Sequence, residues 1–238
     1  MANNSRHLKR HSMPVSWPIK RKNINFITKP KAGSHKLGYV VPVVVLLRDV
    51  LGYAKTLKEA KLIVYTGDVL VNGKKINDVK YPCGIFDTFE IKESKEKFTI
   101  LFNELGKVKL VPAKDDLIYL KVSGKTLLPG KKFQINFMNG FNIVVDDKTA
   151  KGFKVNDTIV YDYIKKKVMQ TLALKEGNFV YIFDGKFKGQ FGEIKSLTVY
   201  HGLSRDIALL DIKKKEHSTA KDYCFVIGTS ATDLKRFE

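Results

Sequence analysis

Apolar positions along the chain change period in a way that marks its elements. Val43, Leu46, Leu47, Val50 and Leu51 recur at i, i+3, i+4, i+7 and i+8, with Pro42 at the first helical position and Gly52 where the chain should leave the helix. A second helix follows, opened by the capping-box sequence Thr56-Leu57-Lys58-Glu59. Leu57, Ala60, Ile63 and Val64 line one side of it, and Lys55, Lys58 and Lys61 lie elsewhere on its surface. The stretch GDVLVNGKKI, Gly67 to Ile76, then alternates around Asn72-Gly73, the sequence of a type I′ hairpin turn. In that register Val71 pairs with Lys74 and Val69 with Ile76, so Val69, Val71 and Ile76 share a face that closes over the two helices. Lys55, Lys58, Lys61, Lys74 and Lys75 are then left in solvent, converging near the junction of second helix and hairpin.

From about Lys92 the texture changes. FTILF, KVKLV, LIYLKV, FQINF, FNIVV, TIVYDY and VMQTLAL are short runs rich in β-branched and aromatic residues, with Asn139-Gly140 as a further hairpin turn. They predict an antiparallel sheet or small barrel without a helix of useful length, so the chain as a whole is α+β and mostly β.

Charge narrows the partner. Lys and Arg number 43 against 24 Asp and Glu, a net charge of +19 over 238 residues, which favours a polyanion. Nucleic acid leads and an anionic membrane surface trails. The excess is uneven: ten cations precede the first acidic residue, Asp49. Pro14, Pro18 and Pro30 interrupt this segment and its apolar residues show no period, so residues 1 to about 36 should lack structure alone. Trp17, Phe26 and His7 are interleaved with the bases, the pattern of a segment that folds onto RNA by stacking and phosphate contact. A solubilising tail is the plain alternative. Only six arginines limit bidentate contacts and favour backbone and shape readout.

Other chemistries fare poorly. His7 and His11 have the spacing of half a zinc finger, but no Cys-x₂-Cys accompanies them. Cys83 and Cys224 sit far apart in apolar settings, as buried free thiols of a reducing cytoplasm do. No apolar run reaches the roughly 18 residues of a membrane span, and VVPVVVLL is too short and follows a basic tail rather than a signal sequence. Gly124-Lys125-Thr126 mimics the end of a phosphate-binding loop, but Tyr119 stands where its first glycine belongs and a turn follows instead of a helix. No nucleophile context is recognisable, and Asp146-Asp147 reads as a solvated turn. An enzyme is not expected, nor a cofactor, metal or small-molecule substrate.

Two stretches resemble known modules. KTLKEAKLIVYTGDVLVNGKKI looks like the S4-type RNA-binding module, and GNFVYIFDGKFKGQFGEIKSL, Gly177 to Leu197, resembles the KOW motif, with Lys186 and Lys188 on its basic tip. An ordinary solvated lysine face and a Gly-rich hairpin of any small barrel are the plain alternatives. Taken with HLKR, KPKAGSHKL, PVVVLLRDVLGYAKTLKEAK, YPCGIFD, GKKFQINFMNGFNI and DYCFVIG, these stretches resemble the S4e family of small-subunit ribosomal proteins nearly end to end.

The resemblance implies a basic N-terminal extension over residues 1–41, an S4-type module over 42–92, a central antiparallel β domain over 93–173, and a C-terminal SH3-like KOW barrel with its tail over 174–238. It implies small-subunit rRNA and neighbouring small-subunit ribosomal proteins as partners, in the cytoplasm. The RNA-binding residues expected are Arg6, His7, Lys9, Arg10, Arg21, Lys22, Lys36 and Arg48 in and after the extension. Lys55, Lys58, Lys61, Lys74 and Lys75 follow in the module, and Lys186 and Lys188 in the KOW loop. Met138-Asn139-Gly140 and Asp184-Gly185 depart from the family's usual His-Asp-Gly and Gly-Gly, which puts the RNA contacts of those two loops in question. The short C-terminal end points to the archaeal branch. A free KOW-containing translation or transcription factor is the rival reading, and it leaves the all-basic extension joined to the S4-type unit unexplained.

Overall fold

The run Val40 to Leu47 is buried at every residue, and the first of two units is organised around it. A computed structural model of the chain describes residues 7–20, 22, 24–33, 35–67, 69–113, 115–200, 205–212, 215–229, 231–234 and 236–237. One unit spans Met1–Leu101 with Gly106–Lys114, the other Phe102–Leu105 with Asp115–Glu238.

In chain order the first unit contains β1 (Leu8–Lys9), β2 (Phe26–Ile27), β3 (Val40–Pro42), α1 (Val43–Val45), α2 (Leu57–Thr66), β4 (Val69–Val71), β5 (Lys74–Lys75), β6 (Pro82–Gly84), β7 (Thr88–Ile91), β8 (Glu96–Phe102) and β9 (Val108–Pro112). β5, β4, β7, β8 and β9 form one sheet in that order, while β1 pairs with β2 and β3 with β6. The hairpin takes the predicted register, Val71 opposite Lys74 and Ile76 N–H bonded to the Val69 carbonyl at 3.2 Å. Asn72 and Gly73 have φ of 51° and 73°, as a type I′ turn requires, and Val69, Val71 and Ile76 are all buried.

The first helix differs from its pattern. Pro42, with ψ of 145°, is the N-cap rather than the first helical residue. After α1 the chain widens into a π-helical turn, Leu46–Val50, closed by Leu51 N–H on the Leu46 carbonyl at 2.9 Å. Val44 and Val45 are buried along with Val43, Leu46 and Leu47, whereas Val50 and Leu51 are half-buried. A helix apolar on all sides is an interior helix. Its first N–H groups, from Val43 and Val44, reach the carbonyls of Tyr81 and Val79 at 3.1 and 3.0 Å, which replaces a side-chain cap.

The N-terminal segment is also built in. Trp17 is 1% exposed, and its indole N–H donates to the Val40 carbonyl at 2.7 Å. Leu8 is buried in β1, and the Ser16 carbonyl accepts from Val108 N–H at 2.8 Å. The expectation that this segment lacks structure, with Trp17 as an RNA-stacking ring, is corrected here. One indole and a few backbone groups find partners in β3 and β9, which no local period announces.

The second unit contains β10 (Leu117–Leu128), β11 (Lys132–Phe137), β12 (Asn142–Asp146), the single turn α3 (Asp147–Ala150), β13 (Thr158–Asp162), β14 (Lys167–Leu172), β15 (Phe179–Ile182), β16 (Phe191–Thr198), β17 (Ile207–Ile212), β18 (Lys215–Ala220), β19 (Cys224–Gly228) and the single turn α4 (Ala231–Leu234). Its strands make two antiparallel sheets, ordered β12-β11-β10-β13-β14 and β18-β17-β16-β15-β19. β10 pairs with β13 through its first half and with β11 through its second, with a register shift between Val122 and Gly124. Ile118, Leu120, Val122, Ile135, Phe137 and Ile159 form the first sheet's core. At the β11–β12 turn only Gly140 takes positive φ, so this hairpin is longer than a two-residue I′ turn.

Lys121, within the apolar run LIYLKV, is buried. Its ammonium donates to the carbonyls of Asp222 and Cys224, both at 2.6 Å, tying β10 to the entry of β19. Burial pulls its pKa down to about 8. Below pH 8 the amine is protonated in folded and unfolded chains alike, and the cost of burying its charge is fully present. Between pH 8 and the unfolded value near 10.4 the folded chain has lost a proton that the unfolded chain keeps, so stability rises with pH. Cys224, pushed up to about 11 by burial, contributes an opposite slope. Urea unfolding of wild type and Lys121→Met from pH 7 to 10 should separate the two, because the thiol is common to both. The stability of wild type relative to the variant is expected to climb with pH, and a flat difference would show that Lys121 is not the group responsible.

Candidate nucleic-acid interface

The sequence of α2 settles which cations it presents. Thr56 Oγ1 accepts from Glu59 N–H at 3.3 Å, and the Glu59 carboxylate accepts from the N–H groups of Lys55 and Thr56 at 2.7 and 3.4 Å. The Lys55 N–H, then the Thr56 hydroxyl, hold the Glu59 carboxyl below the usual range. Ala60 and Val64 are buried, which turns Lys58 and Lys61 outward, and both are exposed. Leu57 is 40% exposed despite its place on the predicted apolar face. Helical Cα–Cβ bonds tilt toward the N-terminus, so a side chain in the first turn projects past the helix start.

Lys74 and Lys75 are both exposed but do not form one patch. Lys74 lies opposite the buried Val71 and Lys75 opposite Leu70, which puts them on opposite faces of the hairpin. Lys75 reaches back over Gly67, the C-cap of α2, so closely that a Cβ there would overlap its ammonium. A cation at a helix C-terminus is favoured by the helix dipole. Lys55 stands at the other end, a helix of ten residues or about 15 Å away. There it shares a cavity wall with Arg10 and Arg48. Lys55 and Lys75 therefore stand at opposite ends of α2 rather than at the single junction expected.

His7, Lys9, Lys22 and Lys36 are exposed. The His7 ring lies edge-on to Phe26 at 5.8 Å. Arg48 is half-buried and paired with Asp49 at 2.8 Å. Arg10 is buried, and its Nε and Nη2 have no hydrogen-bond partner among the described residues. Arg6 and Arg21 lie outside the described residues.

A second buried polar centre escaped sequence reasoning. The Asp87 carboxylate lies 3.0 Å from His35 Nε2 and accepts from Asn72 Nδ2 at 2.8 Å and Gly84 N–H at 2.7 Å. Burial pushes the Asp87 carboxyl up, but His35, Asn72 and the Gly84 N–H together bring it below its ordinary value. The turn residue Asn72 is thereby tied to the basic segment before β3. Its only local signal is the motif YPCGIFD, which says nothing of a partner 52 residues away.

In the second unit the loop from Phe183 to Gln190 joins β15 to β16. Lys186 is exposed, with Nζ 5.8 Å from the Phe187 ring centroid. Lys188 is half-buried, its Nζ 3.5 Å from the centroid of Phe102, and burial lowers its pKa. Lys186 stands at the tip, and Lys188 is folded back from it. Gly185 N–H is taken by Asp184 Oδ1 at 2.9 Å.

Among the described residues no group of His, Cys, Asp or Glu is arranged to hold a metal ion, and no helix is long and apolar enough to cross a membrane. The arrangement offers exposed lysines, an aromatic ring and a cation-lined cavity, which suit phosphate groups.

Known proteins match this chain along most of its length. A family model described as Ribosomal family S4e matches residues 94–168, and one described as the RS4NT (NUC023) domain matches residues 4–38. The small ribosomal subunit protein eS4 of Methanococcus aeolicus is 34% identical over 230 residues, 94% of each chain. Its counterpart in Methanocaldococcus jannaschii is 32% identical over 237 residues, 97% of each. The crystal structure of the 30S ribosomal protein S4e from Thermoplasma acidophilum aligns with a TM-score of 0.68 and 28% identity, covering 81% of this chain and 96% of that one.

Proposed function

This chain belongs to the S4e family of ribosomal proteins, and on that premise we propose that it is a structural constituent of the small ribosomal subunit, held there by small-subunit rRNA and by neighbouring ribosomal proteins. The observation that carries this reading is similarity to eS4 proteins over 94–97% of both chains, because a shared module would match only in part. Exposed Lys58, Lys61, Lys74 and Lys186 support it, being cations that a polyanion would neutralise.

In this reading the protein works in the cytoplasm as part of the particle, without catalysis. Residues 1–41 act as the basic extension, 42–92 as the S4-type module, 93–173 as the central β domain, whose first strands β8 and β9 pair into the sheet of the module, and 174–238 as the KOW barrel. Affinity comes mainly from lysine on phosphate, so neutralising about six to ten phosphates weakens binding roughly 10³- to 10⁵-fold between 50 and 200 mM salt.

Sedimentation of the native protein through a sucrose gradient, with and without ribonuclease, tests the reading. Co-migration with the small subunit that ribonuclease abolishes is expected. Migration as a free protein in both gradients would favour a factor instead. A finer test is Lys74→Glu with Lys75→Glu in the full chain, expected to lower affinity for small-subunit rRNA on the order of tenfold to a hundredfold. Lys74→Glu alone separates the effect from helix stability, since Lys75 is the one at the end of α2. Wild-type affinity in both variants would remove the hairpin from the interface.

A further inference from the structure

Arg10, Arg48 and Lys55, which come from separate segments, line one cavity of about 370 Å³ in the first unit. Its volume lies at the lower end of the roughly 300–1,000 Å³ of ligand pockets. Asp49 is the carboxylate among its lining residues, and Arg48 already holds it, with Nη2 2.8 Å from one oxygen and Nε 3.2 Å from both. Three cations thus meet one occupied anion. Arg10 is only 6% exposed, and its Nε and Nη2 find no partner among the described residues. A buried cation with unpaired N–H groups carries a desolvation cost, and an anion entering the cavity would remove it.

Part of the lining is apolar. It is made by three isoleucines and Phe26, whose ring is 55% exposed and steadied edge-on by His7. A site for a bare anion needs no apolar surface, whereas a base stacked on an aromatic ring does.

We propose that this cavity takes one nucleotide unstacked from the bound RNA, its phosphate on the guanidinium groups of Arg10 and Arg48 and its base against Phe26. Lys55 adds charge at the rim. The proposal rests on the RNA-binding reading above and deepens it. A planar guanidinium presents paired donors to phosphate oxygens, and the ring accepts any base, so the site anchors RNA without reading sequence.

The test is titration of labelled small-subunit rRNA with full-length wild type, Arg10→Met and Phe26→Ala at several salt concentrations. Arg10→Met is expected to weaken binding about tenfold to a hundredfold and to flatten the salt slope by about 0.7–0.9, one phosphate fewer. Phe26→Ala is expected to weaken binding about fivefold to a hundredfold with the slope unchanged. Free Arg10→Met protein should melt no earlier than wild type, because an unpaired buried cation gives way to an apolar chain. Should it melt early, Phe26→Ala decides alone, since its ring is exposed. Wild-type affinity in both variants, or in Phe26→Ala where Arg10→Met is unfolded, overturns the nucleotide pocket and leaves the broader reading intact. Failure of wild type itself to bind rRNA would instead sink the broader reading. Variants that bind rRNA normally but do not enter the subunit would assign the cavity to a protein side chain and also overturn the proposal.

Discussion

Trp17→Ala is expected to destabilise the first unit by about 3–5 kcal/mol, the range for deleting a large buried aromatic side chain. The ring is 1% exposed, so its removal leaves a cavity and an unpaired Val40 carbonyl. Trp17→Phe keeps most of the packing and loses the indole bond, for which about 1 kcal/mol is expected beyond the volume change. Urea unfolding followed by circular dichroism measures both, and limited proteolysis over residues 1–36 reports whether the basic segment has come loose. A free RNA-binding arm makes the contrary forecast. Replacing an exposed ring on it would shift stability by no more than about 0.5 kcal/mol, and such a result would refute the docked N-terminal segment.

Gly189→Ala is the second large effect, about 2–5 kcal/mol in the second unit. Gly189 has φ of 84°, where an L residue costs roughly 1–2 kcal/mol. A Cβ there would overlap the backbone carbonyl of Asn103, which cannot rotate away as a side chain would. Relieving that overlap should add roughly 1–3 kcal/mol and disturb the 2.7 Å bond from Gly189 N–H to the Ile182 carbonyl that closes the loop. Gly185→Ala in the same loop is the internal control. Its φ is 87°, but a Cβ would come only within 3.3 Å of the Tyr223 ring, so conformational strain alone is expected. Thermal unfolding of the two variants should rank Gly189→Ala well below Gly185→Ala. Equal losses would mean that the Asn103 carbonyl yields easily.

Features readable in the sequence share a short range. Asn72-Gly73 specifies its turn because both positions need positive φ, and the register of Val69, Val71 and Ile76 follows from a period of two. Thr56 and Glu59 cap α2 within four residues of one another. The short β runs after Lys92 announce antiparallel β structure, although nothing in them says that the first two, β8 and β9, join the sheet of the hairpin or that β10 serves two neighbours. Features that escaped are set by partners far away. Trp17 finds Val40 23 residues on, His35 finds Asp87 52 residues on, and Lys121 finds Asp222 101 residues on. The candidate interface divides in the same way. Exposure of Lys58, Lys61 and Lys75 is legible from periodicity, whereas that of Lys74, on the face of the buried Val71, and the meeting of Arg10, Arg48 and Lys55 at one cavity are not.

The sequence by itself therefore determined most of the elements, the Asn72-Gly73 turn, the cap of α2, the sign of the charge and the family, because each is carried by neighbouring residues or by composition. Only the tertiary structure decided that a basic segment is docked rather than loose, and that Arg10 is buried with its Nε and Nη2 unpaired among the described residues. Burial depends on which distant surfaces meet, and a desolvated group's energy is set by those surfaces rather than by its neighbours in the chain.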